Sequence, residues 1–174
     1  MDELVTLVKE FRSKIDFAFN EGLFLHDITF NRFPKACCGD ACCLLAEYLK
    51  ANGIQTIYVC GVFRNQSHAW LVLKDNTIHN PDPKYYTMPD EIKSLLTAYG
   101  MEVSDEPYNI SKYEDIDLIN GTLIDITADQ FGQPPIYIGP MDQFHRKFIF
   151  DFAHDYNGLG NCRLLSLYNL IMRR

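Results

Sequence analysis

FPKACCGDACCLLAEYLKANGIQTIYVCGVFRNQSHAWLVL, residues 33–73, changes its hydrophobic period once, and that change decides the fold. Over 38–51 the residues Leu44, Leu45, Tyr48 and Leu49 recur at helical spacing and Asn52-Gly53 follow as a stop, which predicts a helix burying one face. From residue 55 strand character takes over. QTIYVCGVF (55–63) and HAWLVL (68–73), separated by the polar tetrad Arg64-Asn65-Gln66-Ser67, predict an antiparallel hairpin.

On the N-terminal side, Leu4, Leu7, Val8, Phe11, Ile15 and Phe19 make the apolar face of an amphipathic helix over 3–19, ending near Asn20 and Gly22. Residues 26–36 contain Pro34 and no helical period, so they form a loop into the second helix. On the C-terminal side, 74–121 is polar and broken by Asn80-Pro81-Asp82-Pro83 and Pro107, with one helix from Pro89 to Tyr99. An unstructured loop of that length is unusual in a compact domain, so it reads as an insertion packed on the domain. GTLIDIT (121–127) and PIYIG (135–139) return to strand character. A last helix over 162–172, with Asn161 as N-cap, is expected to bury Leu164, Leu165, Tyr168 and Ile171. Helices, then a mostly antiparallel sheet, then a closing helix make an α+β fold in one domain over 1–174 with an insertion at about 74–121.

The composition agrees: 174 residues, 47% hydrophobic and 22% charged, suit one globular domain able to bury its own core. With 16 Lys plus Arg against 23 Asp plus Glu the net charge is -7, and no basic run is longer than Arg173-Arg174, so nucleic acid is not expected as a partner. The opening MDELVTLVKEFRSK has neither the apolar core of a signal peptide nor the length of a membrane span, which predicts a cytoplasmic protein with no membrane partner. Four of the six cysteines form adjacent pairs, Cys37-Cys38 and Cys42-Cys43, which bridge only with backbone strain, so reduced thiols are expected. They offer no pair of C-x-x-C knuckles, and neither a metal nor another cofactor is expected.

A nucleophilic thiol must ionise near neutral pH, and a helix N-terminus beside a histidine favours that. Cys38 falls on the first turn of the second helix, where free backbone N–H groups also face a developing oxyanion. A cysteine in such a place is by default a small core residue, so a second feature is needed. His68 supplies it: it opens a strand after a polar turn, is expected to be half exposed at the sheet edge, and shares its face with Trp70. A third is Asp125, a carboxylate between Ile124 and Ile126 that needs a buried partner, for which an imidazole on the next strand is suited. Asn80 and Asp82, after His79, compete for this third role. Asp40 is expected to point away from Cys38, Asp129 to cap a nearby turn, and His145 and His154 to be surface or core histidines.

Cys on a helix, HAW on a strand and Asp on a later strand resemble the papain-like and transglutaminase-like thiol enzymes. FPKACCGDACCLLAEYL, SHAWL and GTLIDITADQF further resemble a bacterial group with Phe-Pro upstream of Cys-Gly-Asp, over roughly 30–73 and 121–148. The resemblance implies Cys38 as nucleophile, His68 as base and Asp125 as third member of a triad. It also implies attack on carboxamides of proteins or peptides, as a peptidase, glutamine deamidase or transglutaminase, and its effector-type members leave open delivery into a host cytosol. Papain carries a glutamine six residues before its cysteine to bind the oxyanion. Arg32 stands at that place, which leaves the role to backbone N–H groups, Asn31 or Gln130. The alternative is a protein-binding domain that keeps the fold without turnover.

Overall fold

A computed structural model describes residues 2–75, 78, 84–99, 108–109, 113 and 118–173. Two helices come first, α1 (Asp2–Asn20) and α2 (Cys38–Ala51), followed by the strands β1 (Thr56–Phe63) and β2 (Gln66–Leu73). Then come β3 (Tyr85–Tyr86), α3 (Asp90–Ala98) and β4 (Tyr108–Asn109), with β3 and β4 paired to each other. The chain closes with β5 (Leu123–Asp125), β6 (Tyr137–Gly139), β7 (Ile149–Asp155) and α4 (Cys162–Met172). The main sheet has the order β6-β5-β2-β1-β7 with every neighbouring pair antiparallel, so the fold is α+β.

The hairpin is tighter than its polar tetrad suggests. Arg64 (φ 49°) and Asn65 (φ 64°) are both left-handed, as a two-residue turn between right-twisted strands requires, and pairing resumes at once with Phe63 opposite Gln66. His68 is therefore the third residue of β2, not its first. Since β2 is the central strand, between β5 and β1, the expected half-exposed edge histidine is replaced by one with 0% exposure.

Alternation along β2 divides two cores. Ala69 and Leu71 join Ile124 and the apolar faces of α1, α2 and α4, including Phe11, Ile15, Leu45, Leu49, Leu167 and Ile171. Trp70 and Val72 face the other way, with Ile57, Val59, Leu123 and Phe148. The helix faces differ in detail from the periodic expectation: Ala18 is buried where Phe19 is 36% exposed, and Leu167 is buried where Leu165 is 50% exposed. In α4, Asn161 accepts the Leu164 N–H at 2.9 Å, as an N-cap should.

Against the Trp70–Phe148 core Gly61 is sterically required. A Cβ there would lie 2.9 Å from Phe148 Cβ, 3.0 Å from a Trp70 ring carbon and 3.1 Å from the Ile149 carbonyl, beside the register shift in the β1–β7 pairing. Gly61→Ala is expected to destabilise by about 1–3 kcal/mol through overpacking. A thermal melt within 1 °C of the parent would refute that.

Candidate active site

Cys38 is the first residue of α2, reached through a non-helical Cys37 (φ -127°) and a left-handed Ala36 (φ 58°). This entry leaves the backbone N–H groups of the first turn outside the helical ladder. Burial alone would push the Cys38 thiol up. A hydrogen bond and the charge of His68, with backbone hydrogen bonds from Ala69 and Gly39, outweigh it and bring the thiol below its usual range. Cys37 is pushed up to about 12, Cys43 to about 11, and Cys42 and Cys60 also upward, all chiefly by burial. Gly39 permits the close seating of this turn, since a Cβ there would meet the Tyr58 hydroxyl at 3.0 Å.

β5 continues the sheet beside β2, with Leu71 opposite Ile124 and Val72 opposite Leu123. Carrying that register on sets Asp125 beside Trp70, one diagonal step from His68. His68 Nε2 lies 2.7 Å from Asp125 Oδ2, and Nδ1 is left to face Cys38. Burial disfavours the imidazolium, yet Asp125 and Cys38 together raise His68 to about 9. Phe131, Phe144, Phe148 and Trp70 surround the ring with centroids 5.0–6.0 Å away, a dry enclosure in which the ionic contacts are weakly screened.

Asp125 has no exposed surface, and both its oxygens are occupied. Oδ1 accepts the Thr127 N–H at 2.8 Å and the Thr127 hydroxyl at 3.2 Å, while Oδ2 faces His68 and, at 3.1 Å, His145 Nε2. Burial would raise this carboxyl. The rings of His145 and His68, helped by Thr127, hold it well below the usual range. Of the surface and core alternatives for His145 the core one holds: the ring is buried, and there it meets Asp125. Its other nitrogen, Nδ1, lies 2.7 Å from Asp142 Oδ1. The D-x-x-H spacing of Asp142 and His145, typical of a carboxylate capping a short turn, was the available sequence signal.

Among the described residues, His68, Asp125 and His145 bring ligand-type atoms within 4.8 Å of one another. The arrangement is that of a hydrogen-bonded chain: both rings meet one carboxylate oxygen, and their remaining nitrogens meet Gln130 Nε2 at 3.4 Å and Asp142 Oδ1 at 2.7 Å.

Gln130 lies on the short helical turn Ala128–Phe131 just beyond β5. Its Oε1 accepts the Ala36 N–H at 3.4 Å, and its Nε2 donates to the Thr127 carbonyl at 3.1 Å and lies 3.4 Å from His68 Nδ1. Of the three oxyanion candidates it therefore stands at the site with the α2 N–H groups, whereas Asn31, like Arg32, is exposed. Asp40 turns to Thr29 at 2.7 Å and to Arg163, which also holds Asp27, so its charge is engaged away from the thiol. Asp129 pairs with Arg12 at 2.7 Å. His79, Asn80 and Asp82 lie outside the described residues. Comparison with protein-family models, with curated proteins and with solved structures found no match to this chain.

Proposed function

We propose that this chain is a thiol-dependent hydrolase or acyltransferase acting on carboxamide bonds of proteins or peptides, on a papain-like or transglutaminase-like scaffold. The observation that carries the reading is selective: of six cysteines, the one at a helix N-terminus has its thiol drawn below the usual range by a buried histidine that is itself bonded to a buried aspartate. A structural thiol needs no such partners, and the other buried thiols are pushed the opposite way.

In this mechanism the Cys38 thiolate attacks the carboxamide carbon, and the new S–C bond moves an electron pair onto the carbonyl oxygen. Backbone N–H groups at the start of α2 and the Gln130 amide are suited to stabilise that oxyanion. The C–N bond then breaks as the His68 imidazolium gives its proton to the departing amine or ammonia. Water, or an acceptor amine, attacks the thioester, His68 takes its proton, and the thiolate leaves. Asp125 keeps Nε2 protonated throughout, so that Nδ1 is the nitrogen that exchanges protons. A net charge of -7 favours basic partner surfaces by electrostatic steering, and the sequence carries no Gly-rich phosphate-binding motif that would suit a nucleotide. The reading includes a cytoplasmic setting, with delivery into a host cytosol as its variant.

Alkylation separates this from a non-catalytic binding domain. Cys162 is exposed, Cys60 is buried and Cys38 lies between them. Accessibility alone predicts that Cys162 labels first. The thiolate reading predicts that iodoacetamide modifies Cys38 first below pH 7, and labelling in the order of exposure would favour the binding domain. Ammonia release against new amino termini, with glutamine-containing and cleavable peptides, then distinguishes deamidase from peptidase.

A further inference from the structure

His145 takes no part in the steps above, yet it shares the atom on which His68 depends. Asp125 Oδ2 receives His68 Nε2 at 2.7 Å and His145 Nε2 at 3.1 Å. The His145 ring is fixed from behind, because Asp142 Oδ1 meets both its Nδ1 at 2.7 Å and its backbone N–H at 2.9 Å. Asp142 and Asp125 are each held below the usual carboxylate range: burial opposes this in both, and hydrogen bonds from His145 are among the causes that win. An ionised carboxylate only accepts, so at Asp125 Oδ2 the His145 Nε2 acts as a donor.

We propose that His145, locked by Asp142, is a positioning residue that sets how tightly His68 holds its proton, by sharing Asp125 Oδ2 with it. The proposal rests on the thiol-enzyme reading. Its physical basis is competition at one oxygen: each N–H draws on the same lone-pair density, so the donor from His145 weakens the pull of Asp125 on the His68 proton. A base held too firmly protonated cannot release its proton to a leaving amine. The groups that face these two rings are Cys38 from α2, Asp125 from β5, Tyr137 from β6, with its ring 5.3 Å from His145, and Asp142. Trp70 and Phe144 close the remaining sides.

The test is an NMR titration of the His68 ring, run beside the pH profile of Cys38 alkylation, in the parent and in His145→Phe, His145→Gln and Asp142→Asn. In the parent the ring should lose its proton near pH 9. His145→Phe should move that midpoint up by about one unit, because the competing donor on Asp125 Oδ2 is removed. His145→Gln, which keeps a donor toward Asp125, should move it less, and Asp142→Asn should shift it in the same upward direction. A purely structural role would lower the melting temperature without raising the midpoint. Midpoints unmoved or lowered in the variants, with the parent behaving as described, overturn the proposal. A parent whose His68 titrates near an ordinary 6.5 and whose Cys38 labels no faster than Cys162 overturns the thiol-enzyme reading instead. Should His145→Phe fail to fold, an upward shift in both other variants is required.

Discussion

Asp125→Asn is expected to cut turnover by up to about 10⁴-fold while most of the fold survives. The size follows from the donor pattern. All four hydrogen bonds to Asp125 come from donors: two histidine rings on Oδ2, the Thr127 N–H and hydroxyl on Oδ1. An asparagine has one oxygen and must aim its NH2 at one of these pairs. The Thr127 N–H is fixed, so the NH2 faces the rings, and His68 can then satisfy it only by accepting at Nε2. The proton moves to Nδ1, which faces Cys38, and the ring can no longer take the thiol proton. The variant should therefore lose the low-pH alkylation of Cys38 together with turnover. Full turnover in a folded Asp125→Asn protein, with loss in Asn80→Ala or Asp82→Ala, would transfer the third role to the 80–82 turn.

The largest stability effect is expected at Arg12. This arginine is 6% exposed on the buried face of α1. Its Nη1 donates to the carbonyls of Ile126 and, at 3.0 Å, Pro135; Nη2 meets Asp129 at 2.7 Å, Nε meets Asp16 at 2.9 Å, and the guanidinium lies over Phe33. It thus joins the first helix to the segment that leaves Asp125. Arg12→Met keeps the packing volume but strands a largely buried carboxylate and two carbonyls, at a cost of about 3 kcal/mol, the lower end for a broken buried pair because Asp129 is partly exposed. The melting temperature should fall on the order of 10 °C. Adding Asp129→Asn should restore part of that loss, and simple additivity of the two changes would show that the pair is not coupled.

The helices and the hairpin were legible because local periodicity determined them: α2 and α4 begin and end where the apolar spacing and the caps put them. The cysteine, histidine and aspartate were legible for a related reason, each being a residue type at odds with its neighbours. What escaped depended on partners far along the chain. Strand β7 was unread because Ile149 and Phe152 are exposed at the sheet edge, which disguises its alternation, and only pairing with β1 organises it. Arg12 carries no such signal, since all its acceptors but Asp16 are more than a hundred residues away. His145 sits among Arg146 and Lys147, a surface-like setting, and its burial follows from Asp125 twenty residues earlier. Much of the insertion, including the competing turn at 80–82, lies outside the described residues.

The central place of β2 also has a consequence for biosynthesis. Helix α2 and the β1–β2 hairpin occupy one continuous stretch, carrying Cys38 and His68, and leave the ribosome before β5. Asp125 follows 57 residues after His68, and the ring that shares its oxygen comes 20 residues later still. Until β5 docks on the open side of β2, the carboxylate that meets Nε2 is absent from the ring. One continuous stretch thus carries the thiol and the ring, while the carboxylate that fixes the ring comes from a separate segment and is in place only once β5 has paired with β2.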